Sequence, residues 1–600
     1  MCDSARILVL YATQTFTAQE MAERIWRSLK ILGFRGPVQA MDDYPISKLI
    51  HEEFALFVCA TTGQGDEPDN MKKFWKFLLR KNLPSNSLIK LKYGVLGLGD
   101  SSYTKFNFVG KKLHKRLMQL GATPLLDIGL CDYQHDLGHD AVMKPWVENF
   151  YSILKRFYPD IKTDNLVNKF VPRWKVSLIR DDQTLVTSCM SKDIYYANGN
   201  VDNFLDTTLF ELESNVRTTD ESHFQDVRLM TFKTVNSVLN YKPGDVFNIR
   251  PRNRKEDIDE LFNIFQLHDI DIKPNFRLLV EELHEDMPVP DFLHTPLTLY
   301  EIAEQYWDLR AYPTQYVFSL LALVSRDKLE KDKCRELSSP EGQEDWLNYC
   351  RRPKRTILEV LHDFHKSASE LSIDILFELF STIKPRSFSI ASSCLPSSGR
   401  NVELLVAVVK YYTNLKKVRL GLCSNWLAGL NPGDKVYAWI KKGTFVFPQD
   451  KNIPNILIGP GTGLAPFRSL LQECDIQDTL NKQTMHLFFG CRYKDKDYHC
   501  RNELEMLVAN GKLSLYCAFS RDQEEKIYVQ HKIIEYKNDL WCLINTEKAS
   551  IFLSGNAKNM PDNVREAIVE VIASGGHSTE DAKEILKNME RDGRFQTETW

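Results

Sequence analysis

The sequence predicts an α/β multidomain protein, and three observations lead to that prediction. The chain has 600 residues, several times the usual size of one domain. Short apolar runs alternate with helical patterns over residues 1–155 and again over residues 448–600, as in parallel sheets covered by helices. Between these regions, strand-like runs lie on either side of a mainly helical stretch, at about residues 255–375.

Composition narrows the class of protein. It is 43% hydrophobic and 26% charged, with a net charge of −3, which is ordinary for a globular protein and does not indicate a nucleic-acid partner. No apolar run approaches the roughly 18 residues of a membrane span. A strand-like run, Ile7–Leu10, starts close to Met1, so we expect neither a signal peptide nor a membrane anchor. The 13 cysteines include no Cys-x-x-Cys pair, which favours reduced thiols in a cytoplasmic protein and no metal site.

Four apolar runs predict the first sheet, at Ile7–Leu10, Phe54–Ala60, Tyr93–Leu98 and Leu125–Leu130. Polar loops follow the first three. Open α/β sheets bind ligands outside the carboxyl ends of their strands, where backbone N–H groups and hydroxyls suit a phosphate. Such loops also cap helices without a ligand, but three at successive strand ends favour a ligand site. The candidate residues are Thr13, Gln14, Thr15, Phe16, Thr17, Ala18, Ala60, Thr61, Thr62, Gly63, Leu98, Gly99, Asp100, Ser101, Ser102, Tyr103, Phe106 and Asn107.

These loops resemble those of the flavodoxin-like FMN-binding domain of diflavin reductases over Thr13–Ala18, Ala60–Asn70 and Gly97–Asn107. The resemblance implies that the first loop holds the FMN phosphate and that Tyr103 covers the isoalloxazine ring. Acidic residues beside the loops suggest a rim that steers a basic electron acceptor, and a solvated surface is the alternative. They are Asp66, Glu67, Asp69, Asp132, Asp136 and Asp140.

The first region departs from the family pattern at two places. Phe16 stands where the family usually has glycine, and Asp132 is followed by Tyr133 rather than by a second acid. Asp132 remains a candidate FMN-binding residue by the resemblance. We expect Phe16 to have a negative φ, because a positive φ costs a non-glycine residue about 1–3 kcal/mol.

The middle region contains a tract that combines a cation, an aromatic ring and hydroxyls, namely Arg386, Ser387, Phe388 and Ser389. In a strand, Arg386 and Phe388 face one way and the two serines the other. A guanidinium suits a pyrophosphate, a phenyl ring can cover a planar cofactor, and a hydroxyl can bond its reactive edge. An ordinary buried strand is the alternative. The tract resembles the Arg-x-Tyr/Phe-Ser signature with which the ferredoxin–NADP reductase family binds FAD.

Other parts of the middle region fit the same resemblance. Strand-like runs Phe224–Phe232 and Val246–Ile249 flank a tight turn at residues 243–245, as in the FAD-binding barrel of that family. After the strand-like run Val402–Tyr412, a glycine leads into a helix and resembles a second pyrophosphate contact. That contact comprises Gly421, Leu422, Cys423 and Ser424.

The helical stretch 255–375 resembles the connecting insert of diflavin reductases. It contains a basic run, residues 351–355, that leads into Thr356. By the resemblance Lys354 and Arg355 contact a cofactor phosphate, and a basic helix cap is an equally open alternative.

The last region has strand-like runs at Asn455–Ile458, Met485–Gly490, Leu513–Phe519 and Ile551–Leu553. The first leads into a glycine-rich turn, residues 459–463, which suits a dinucleotide pyrophosphate through Gly461 and Thr462. After the third come a hydroxyl and two cations, which suit the 2′-phosphate of NADPH rather than the bare ribose of NADH. The tract resembles the NADPH site of the family, which implies contacts by Ser520, Arg521, Lys526, Ile527, Tyr528, Val529, Gln530 and Asp562.

The resemblance covers nearly the whole chain and implies a fold in three parts. These are a flavodoxin-like doubly wound sheet over 1–155, an antiparallel FAD-binding β-barrel with a helical connecting insert over 205–447, and a ferredoxin–NADP reductase-type nucleotide-binding α/β domain over 448–600. Residues 156–204 form a linker and lead-in. The implied cofactors are FAD, FMN and NADPH, and the implied catalytic residues are Ser389, Glu598 and Trp600. Trp600 is expected to stack on the FAD isoalloxazine and to move aside for nicotinamide.

Two tracts and the expected lack of an anchor point to one branch of the family, which acts in cytosolic iron–sulfur cluster assembly. They are Ser222–Leu229 and Arg594–Trp600. That branch implies an anamorsin-type iron–sulfur protein as electron acceptor, a cytoplasmic location and a monomer. Two alternatives stay open: a reductase for a haem or sulfite-reductase-type acceptor, and a non-enzymatic binding scaffold.

Overall fold

The computed structural model describes residues 5–63, 65–103, 105–161, 169–180, 193–195, 207–267, 270–414 and 416–600. The chain forms two compact units. The first comprises residues 1–204, 252–384 and 412–417, and the second comprises residues 205–251, 385–411 and 418–600. Much of the predicted linker 156–204 lies outside the described residues.

The first unit begins with a six-stranded parallel sheet in the order β2-β1-β3-β4-β5, with β6 also paired to β4. Apolar side chains on its two faces enter two separate core clusters. The loops after β1 and β3 therefore lie where the strand order reverses, the usual ligand site of such sheets. The elements are β1 Leu8–Ala12, α1 Thr17–Ile31, β2 Val38–Ala40, β3 Phe54–Ala60, α2 Lys72–Leu78, β4 Lys92–Gly99, α3 Phe108–Gln119, β5 Thr123–Pro124, β6 Gly129–Asp132 and α4 Asp140–Phe157.

The predicted fourth strand, Leu125–Leu130, is wrong in its position. The chain instead pairs with β4 in two short pieces, β5 and β6. The Leu125 N–H still donates to Tyr93 O at 2.8 Å, and residues 126–128 lie outside the ladder. The apolar side chains that suggested a strand, such as Leu125 and Leu126, are half-buried against the core instead.

The rest of the first unit is mainly helical and includes a three-stranded antiparallel sheet in the order β12-β11-β7. Helix α1 is joined to this part by ion pairs with little exposure: Glu378 pairs with Arg27 at 2.5 Å and with Arg173 at 2.8 Å. The short run Leu347–Arg351 is a π-helical turn. The elements are β7 Trp174–Ile179, α5 Lys255–Leu267, β11 Arg277–Glu282, β12 Leu297–Thr298, α6 Leu299–Gln305, α7 Gln315–Val324, α8 Lys328–Ser338, α9 Gln343–Trp346, α10 Ile357–Asp363, α11 His365–Ala368 and α12 Ile373–Leu379.

The second unit begins with a six-stranded antiparallel sheet in the order β13-β10-β17-β8-β9-β14. An isolated bridge between Ile390 and Leu404 joins the segment after β13 to β14, at the opposite end of that order. Alternate residues of β8 and β9, such as Phe210 and Phe232, fill its core. The elements are β8 Thr208–Arg217, β9 Val227–Thr234, β10 Val246–Ile249, β13 Arg386–Ser389, β14 Asn401–Ala407, β15 Lys410–Tyr412, β16 Val418–Leu420, α13 Leu422–Ala428 and β17 Lys435–Lys441.

A five-stranded parallel sheet completes the second unit in the order β20-β19-β18-β21-β22. Its last strand was not predicted, because the sequence Phe-Gln-Thr-Glu-Thr contains a single apolar residue. The elements are β18 Asn455–Ile458, α14 Ala465–Ile476, β19 Met485–Cys491, α15 Arg501–Ala509, β20 Ser514–Phe519, α16 Val529–Glu535, α17 Lys537–Asn545, β21 Ser550–Gly555, α18 Met560–Ala573, α19 Thr579–Arg591 and β22 Phe595–Thr599.

Among the residues that the structure describes, no helix combines the length and the apolar character that crossing a membrane requires. The same residues contain no group of three or more histidine, cysteine or carboxylate side chains placed to hold a metal ion.

Candidate cofactor-binding and active site

The loop after β1 turns into α1 through Phe16, whose φ is 64°. Our expectation of a negative φ is therefore wrong. The turn between the strand and the helix requires a left-handed residue, and the packing of β1 and α1 outweighs the roughly 1–2 kcal/mol that this conformation costs a non-glycine residue. The helix begins without a side-chain cap, so its first N–H groups remain for a ligand.

Side chains hold this first loop in place. The Thr13 N–H donates to Asn70 Oδ1 at 2.9 Å, and Gln14 exchanges two hydrogen bonds with Asp69, at 3.0 and 3.2 Å. Thr13 Oγ1 is buried and has no hydrogen-bond partner among the described residues. A buried hydroxyl beside uncapped helix N–H groups fits the phosphate of FMN.

The loop after β3 closes on itself and also supports its neighbour. Thr62 and Asp66 exchange backbone hydrogen bonds of 3.0 and 2.8 Å, and the Thr61 N–H donates to Leu98 O at 3.0 Å. The Thr61 hydroxyl accepts from the Val109 N–H, at 3.3 Å, in the first turn of α3. The helix-capping alternative therefore describes the Thr61 side chain.

Two carboxylates shape the loop after β4. Asp100 Oδ1 accepts from both the N–H and the hydroxyl of Ser102, at 2.9 and 2.5 Å. Asp132 Oδ1 accepts from the N–H groups of Ser101 and Gln134, at 2.9 and 3.0 Å. Desolvation pushes the pKa of Asp132 upward, but these hydrogen bonds hold it below its usual value. Asp132 is thus a charged support of this loop.

Tyr103 and Asn107 differ in what they offer a ligand. Tyr103 is 36% exposed, so its ring is accessible to a flavin. Asn107 has no exposed surface; its φ is 53°, and its Nδ2 donates to Cys131 O at 3.0 Å. This amide ties the start of α3 to β6, while Asn107 Oδ1 is buried without a hydrogen-bond partner among the described residues. The contact of Asn107 with FMN stays a prediction.

One of the six predicted rim acids does not belong to the rim. Asp140 is buried and pairs with Arg24 at 3.0 Å. The other five retain exposed surface beside the three loops, namely Asp66, Glu67, Asp69, Asp132 and Asp136.

In the second unit, β13 presents the predicted FAD tract. It pairs with β10, and the Ser387 hydroxyl donates to Asn248 Oδ1 at 2.6 Å. Arg386 and Ser387 are exposed, whereas Ser389 is buried. Burial raises the pKa of the Cys423 thiol to about 12, and the charge of Arg386 opposes that shift. Arg386 therefore lies near the start of α13, where the second pyrophosphate contact was predicted.

The start of α13 has backbone N–H groups and the Ser424 hydroxyl to offer a ligand. Ser424 Oγ accepts from the Val409 N–H at 3.0 Å, which holds the preceding loop and leaves the hydroxyl hydrogen to donate. A Cβ on Gly421 would lie 2.8 Å from Val409 Cβ, which explains the glycine. The N–H groups of Leu422 and Cys423 in the first turn remain suited to a pyrophosphate.

Lys354 and Arg355 belong to the first unit. Lys354 has a φ of 54°, and its ammonium lies 5.5 Å from the centroid of the Tyr312 ring. Arg355 donates to Tyr349 O at 3.0 Å and pairs with Asp363. The alternatives for these residues were a contact with a cofactor phosphate and a basic helix cap. The contacts of Arg355 with Tyr349 and Asp363 favour the helix cap.

In the last sheet, the turn after β18 packs closely against β21. A Cβ on Gly463 would lie 2.2 Å from Ser554 O, so only glycine fits there. Gly461 has a φ of 59°, and Thr462 follows it in the same turn. This turn leads directly into α14, and a glycine-rich turn at the start of a helix suits the NADPH pyrophosphate.

The predicted 2′-phosphate site lies at the end of β20. The Ser520 and Arg521 N–H groups donate to Cys491 O and Arg492 O, both at 2.9 Å, which extends the pairing with β19. Within the described part of the chain, neither Arg521 nor Lys526 forms an ion pair with a carboxylate. Two cations without a protein counter-ion fit a phosphate dianion. The remaining predicted contacts lie on the same segment or on α18, namely Ile527, Tyr528, Val529, Gln530 and Asp562.

Strand β22 brings Glu598 beside Ser554 in register. Glu598 Oε2 and Ser554 Oγ are buried, and neither has a hydrogen-bond partner among the described residues. Burial raises the pKa of Glu598 to about 7, and the charge of Asp245 adds to the shift. Asp245 was predicted only as a turn residue. Its proximity to Glu598 depends on strand order, which leaves no local signal in the sequence.

Trp600 continues β22 beyond its last ladder pair. Its N–H donates to Gly555 O and its carbonyl accepts from the Ala557 N–H, both at 3.0 Å. The backbone is thus fixed while the side chain is 50% exposed. A ring presented in this way is suited to stacking on a planar group.

Comparisons with known proteins give one family match for each of the three regions. Family models match the chain as "Flavodoxin" over residues 9–146, "FAD binding domain" over 208–426 and "Oxidoreductase NAD-binding domain" over 457–566. Proteins named NADPH-dependent diflavin oxidoreductase 1 are 45% identical in Danio rerio, 42% in Xenopus laevis and 35% in Arabidopsis thaliana. Each of these alignments covers 99% of this chain and 99% of the relative.

This chain belongs to the diflavin reductase family. It is an NADPH-dependent diflavin oxidoreductase with FAD, FMN and NADPH as cofactors. The scaffold alternative is therefore wrong. The individual cofactor contacts listed above stay predictions, as do the domain limits 1–155, 156–204, 205–447 and 448–600.

Proposed function

We propose that this diflavin reductase delivers electrons to an anamorsin-type iron–sulfur protein in cytosolic iron–sulfur cluster assembly. The observation that carries the proposal is the acidic rim, defined here as Asp66, Glu67, Asp69, Asp132 and Asp136. These carboxylates lie beside the FMN loops and retain exposed surface. Because carboxylates attract a basic surface at long range, they favour a protein acceptor that docks at the flavin edge.

The order of electron transfer follows from the cofactors. When bound, FAD takes the hydride of NADPH and FMN releases electrons one at a time. Arg521 and Lys526 would hold the 2′-phosphate end of NADPH through charge, and the Ser389 hydroxyl would hydrogen-bond the reactive edge of the flavin. Glu598 would supply a carboxyl group beside the nicotinamide, and the Trp600 ring would cover the flavin before nicotinamide approaches.

The test of the rim uses a variant with Asp66→Asn, Glu67→Gln and Asp69→Asn together. We expect slower association with an anamorsin-type protein and a weaker dependence on ionic strength, because screening acts on the charges removed. The measurement is the rate of acceptor reduction across a salt series. A matched triple on α19, Glu580→Gln, Asp581→Asn and Glu584→Gln, removes the same number of exposed negative charges from the second unit and should leave that rate unchanged.

Two internal checks keep this test specific. Reduction of bound FAD by NADPH should be the same in every variant, and FMN content must be measured because Asp69 also holds Gln14. An unchanged acceptor rate in the rim variant would contradict the steering role. Faster reduction of a haem monooxygenase or of a sulfite-reductase haemoprotein than of the anamorsin-type protein would favour the alternative acceptor class.

A further inference from the structure

A lysine far along the sequence reaches the FMN phosphate loop. Lys384 Nζ donates to Thr17 Oγ1 at 2.9 Å and lies 3.6 Å from Glu20 Oε2. Thr17 and Glu20 are in the first turn of α1, whereas Lys384 follows α12, 367 residues after Thr17. All three belong to the first unit.

The direction of this hydrogen bond matters for a phosphate. A threonine hydroxyl has one hydrogen to donate and lone pairs to accept with. Because the Thr17 oxygen accepts from the ammonium of Lys384, its own hydrogen remains to donate elsewhere, and the neighbouring positive charge makes it a stronger donor. Thr17 lies in the stretch Thr13–Ala18, the predicted phosphate loop.

The contact with Glu20 does not account for the position of Lys384. Its separation of 3.6 Å exceeds those of two other ion pairs on the same helix, Arg24–Asp140 at 3.0 Å and Lys30–Asp286 at 2.5 Å. Glu20 Oε1 is buried without a hydrogen-bond partner in the described part of the chain. Burial raises the pKa of Glu20, and Lys384 only opposes that shift. The ammonium is thus closer to the loop hydroxyl than to the carboxylate.

We propose that Lys384 is a ligand of the FMN phosphate, which it binds by its charge and by orienting the Thr17 hydroxyl. The flavodoxin model matches residues 9–146, so the phosphate site is completed by a residue from outside that domain. Glu20 then competes with the phosphate for the same ammonium.

The test measures FMN binding to the full-length apoprotein by quenching of flavin fluorescence. Lys384→Met should weaken FMN binding about tenfold, as for a lost charged contact with partial exposure. Riboflavin, which lacks the phosphate, should bind this variant and the unchanged chain equally. Lys384→Arg should restore FMN affinity, and Glu20→Gln should tighten FMN binding because it removes the competing carboxylate.

Lys30→Met is the matched control. Lys30 lies on the same helix and pairs with Asp286, which is also outside the flavodoxin-like domain. It is 13 residues from Thr17, or about 20 Å along the helix axis. Lys30→Met should leave the affinities for FMN and for riboflavin unchanged.

Two outcomes would overturn the proposal. If Lys384 serves only to hold α1 against its neighbours, Lys384→Met and Glu20→Gln will both weaken FMN binding. The affinity for riboflavin will then fall together with the affinity for FMN. Unchanged FMN affinity in Lys384→Met would also exclude the contact. Thermal melting of each apoprotein variant shows whether the fold is retained, and Lys384→Arg provides a charged comparison if the methionine variant is unstable.

Discussion

Two turns of this protein lead from a parallel strand into a helix, and each contains a residue with nearly the same positive φ, although the residue types differ. Phe16, after β1, has a φ of 64°; Gly461, after β18, has a φ of 59°. The first turn has no glycine between Thr13 and Ala18, whereas the second has three between residues 459 and 463. The comparison shows that a positive φ occurs in a strand-to-helix turn with or without glycine, and that the residue type decides what this conformation costs.

The two sites also differ in how they hold their cations. Lys384 at the first site lies beside a carboxylate, Glu20. At the second site, Arg521 and Lys526 form no ion pair within the described chain. A cation without a protein counter-ion has more to gain from a ligand phosphate, because no existing pair must be broken. The second site should therefore show the larger response to loss of a single charge.

The largest expected effect is at Arg521. Arg521→Ala should weaken NADPH binding by roughly ten- to a hundredfold, because a lost charged hydrogen bond costs about 1.5–3 kcal/mol, and NADH activity should change little. Steady-state kinetics with both cofactors measure this. Arg501→Ala removes an arginine of the same unit that is paired with Glu505 at 2.9 Å, and it should alter neither cofactor. Equal losses with NADPH and NADH would show that Arg521 is structural.

The next effect concerns Glu598, the buried acid of the second site. Its pKa is about 7 in the folded chain against an ordinary value of 4.5. Between these values the folded state holds the proton more tightly than the unfolded state, so stability falls as pH rises through this window. Although Glu598 Oε2 is buried, the residue as a whole keeps some exposed surface, so solvent screening reduces the loss above pH 7 to about 2 kcal/mol.

Glu598→Gln cannot ionise and should avoid that loss. We expect the variant to melt at a higher temperature than the unchanged chain at pH 8 and at the same temperature near pH 4.5. Thermal unfolding at both pH values tests the sign. A difference that is constant with pH would mean that Glu598 does not titrate in this window.

A smaller effect is expected at Trp600. In a chain ending at Thr599, nicotinamide no longer competes with an aromatic ring, so the preference for NADPH over NADH should relax by roughly two- to tenfold. This corresponds to the 0.5–1.5 kcal/mol of an aromatic stack. Release of NADP⁺ should slow for the same reason. Cofactor preference and product release that both match the full-length chain would exclude this role for Trp600.

The sequence predicted the structure correctly where local composition allows few conformations, as in glycine-rich turns and short apolar runs. The glycine-rich turn after β18 and the apolar strands Phe54–Ala60 and Asn455–Ile458 were predicted with the bounds that the structure has. It failed where tertiary packing overrides local preference. The positive φ of Phe16 is imposed by the junction of β1 and α1, and β22 forms because β21 offers an edge rather than because its own sequence is apolar.

Contacts between distant segments were also beyond the sequence. Asp245 acts on Glu598 from a turn 353 residues earlier, and Lys384 reaches Thr17 across 367 residues. Neither contact has a periodic pattern that reveals it, because each depends on which strands and helices become neighbours. At Lys354 and Arg355 the sequence does show a pattern, a basic run, but that pattern fits both a phosphate contact and a helix cap. The ion pair between Arg355 and Asp363 is needed to favour the helix cap.

The smallest expected effect tests the comparison of the two turns directly, through exchange of their residue types. Phe16→Gly should raise the free energy of unfolding by about 0.5–1 kcal/mol. Glycine removes the left-handed strain of roughly 1–2 kcal/mol, but its greater conformational freedom stabilises the unfolded chain and offsets part of that gain. Gly461→Ala should lower that free energy by about 1 kcal/mol, and through φ alone, since no heavy atom lies within 4 Å of its added Cβ. Denaturant unfolding of the apoprotein measures both changes. Gly33 has a φ of 91° and equally open surroundings away from both sites, so Gly33→Ala calibrates the cost of a positive φ in this chain.

If Phe16→Gly is destabilising, the Phe16 side chain contributes more by its contacts than its backbone loses by strain. In that case the contacts of the Phe16 side chain offset the backbone strain at the same residue, and the two turns differ in packing as well as in residue type.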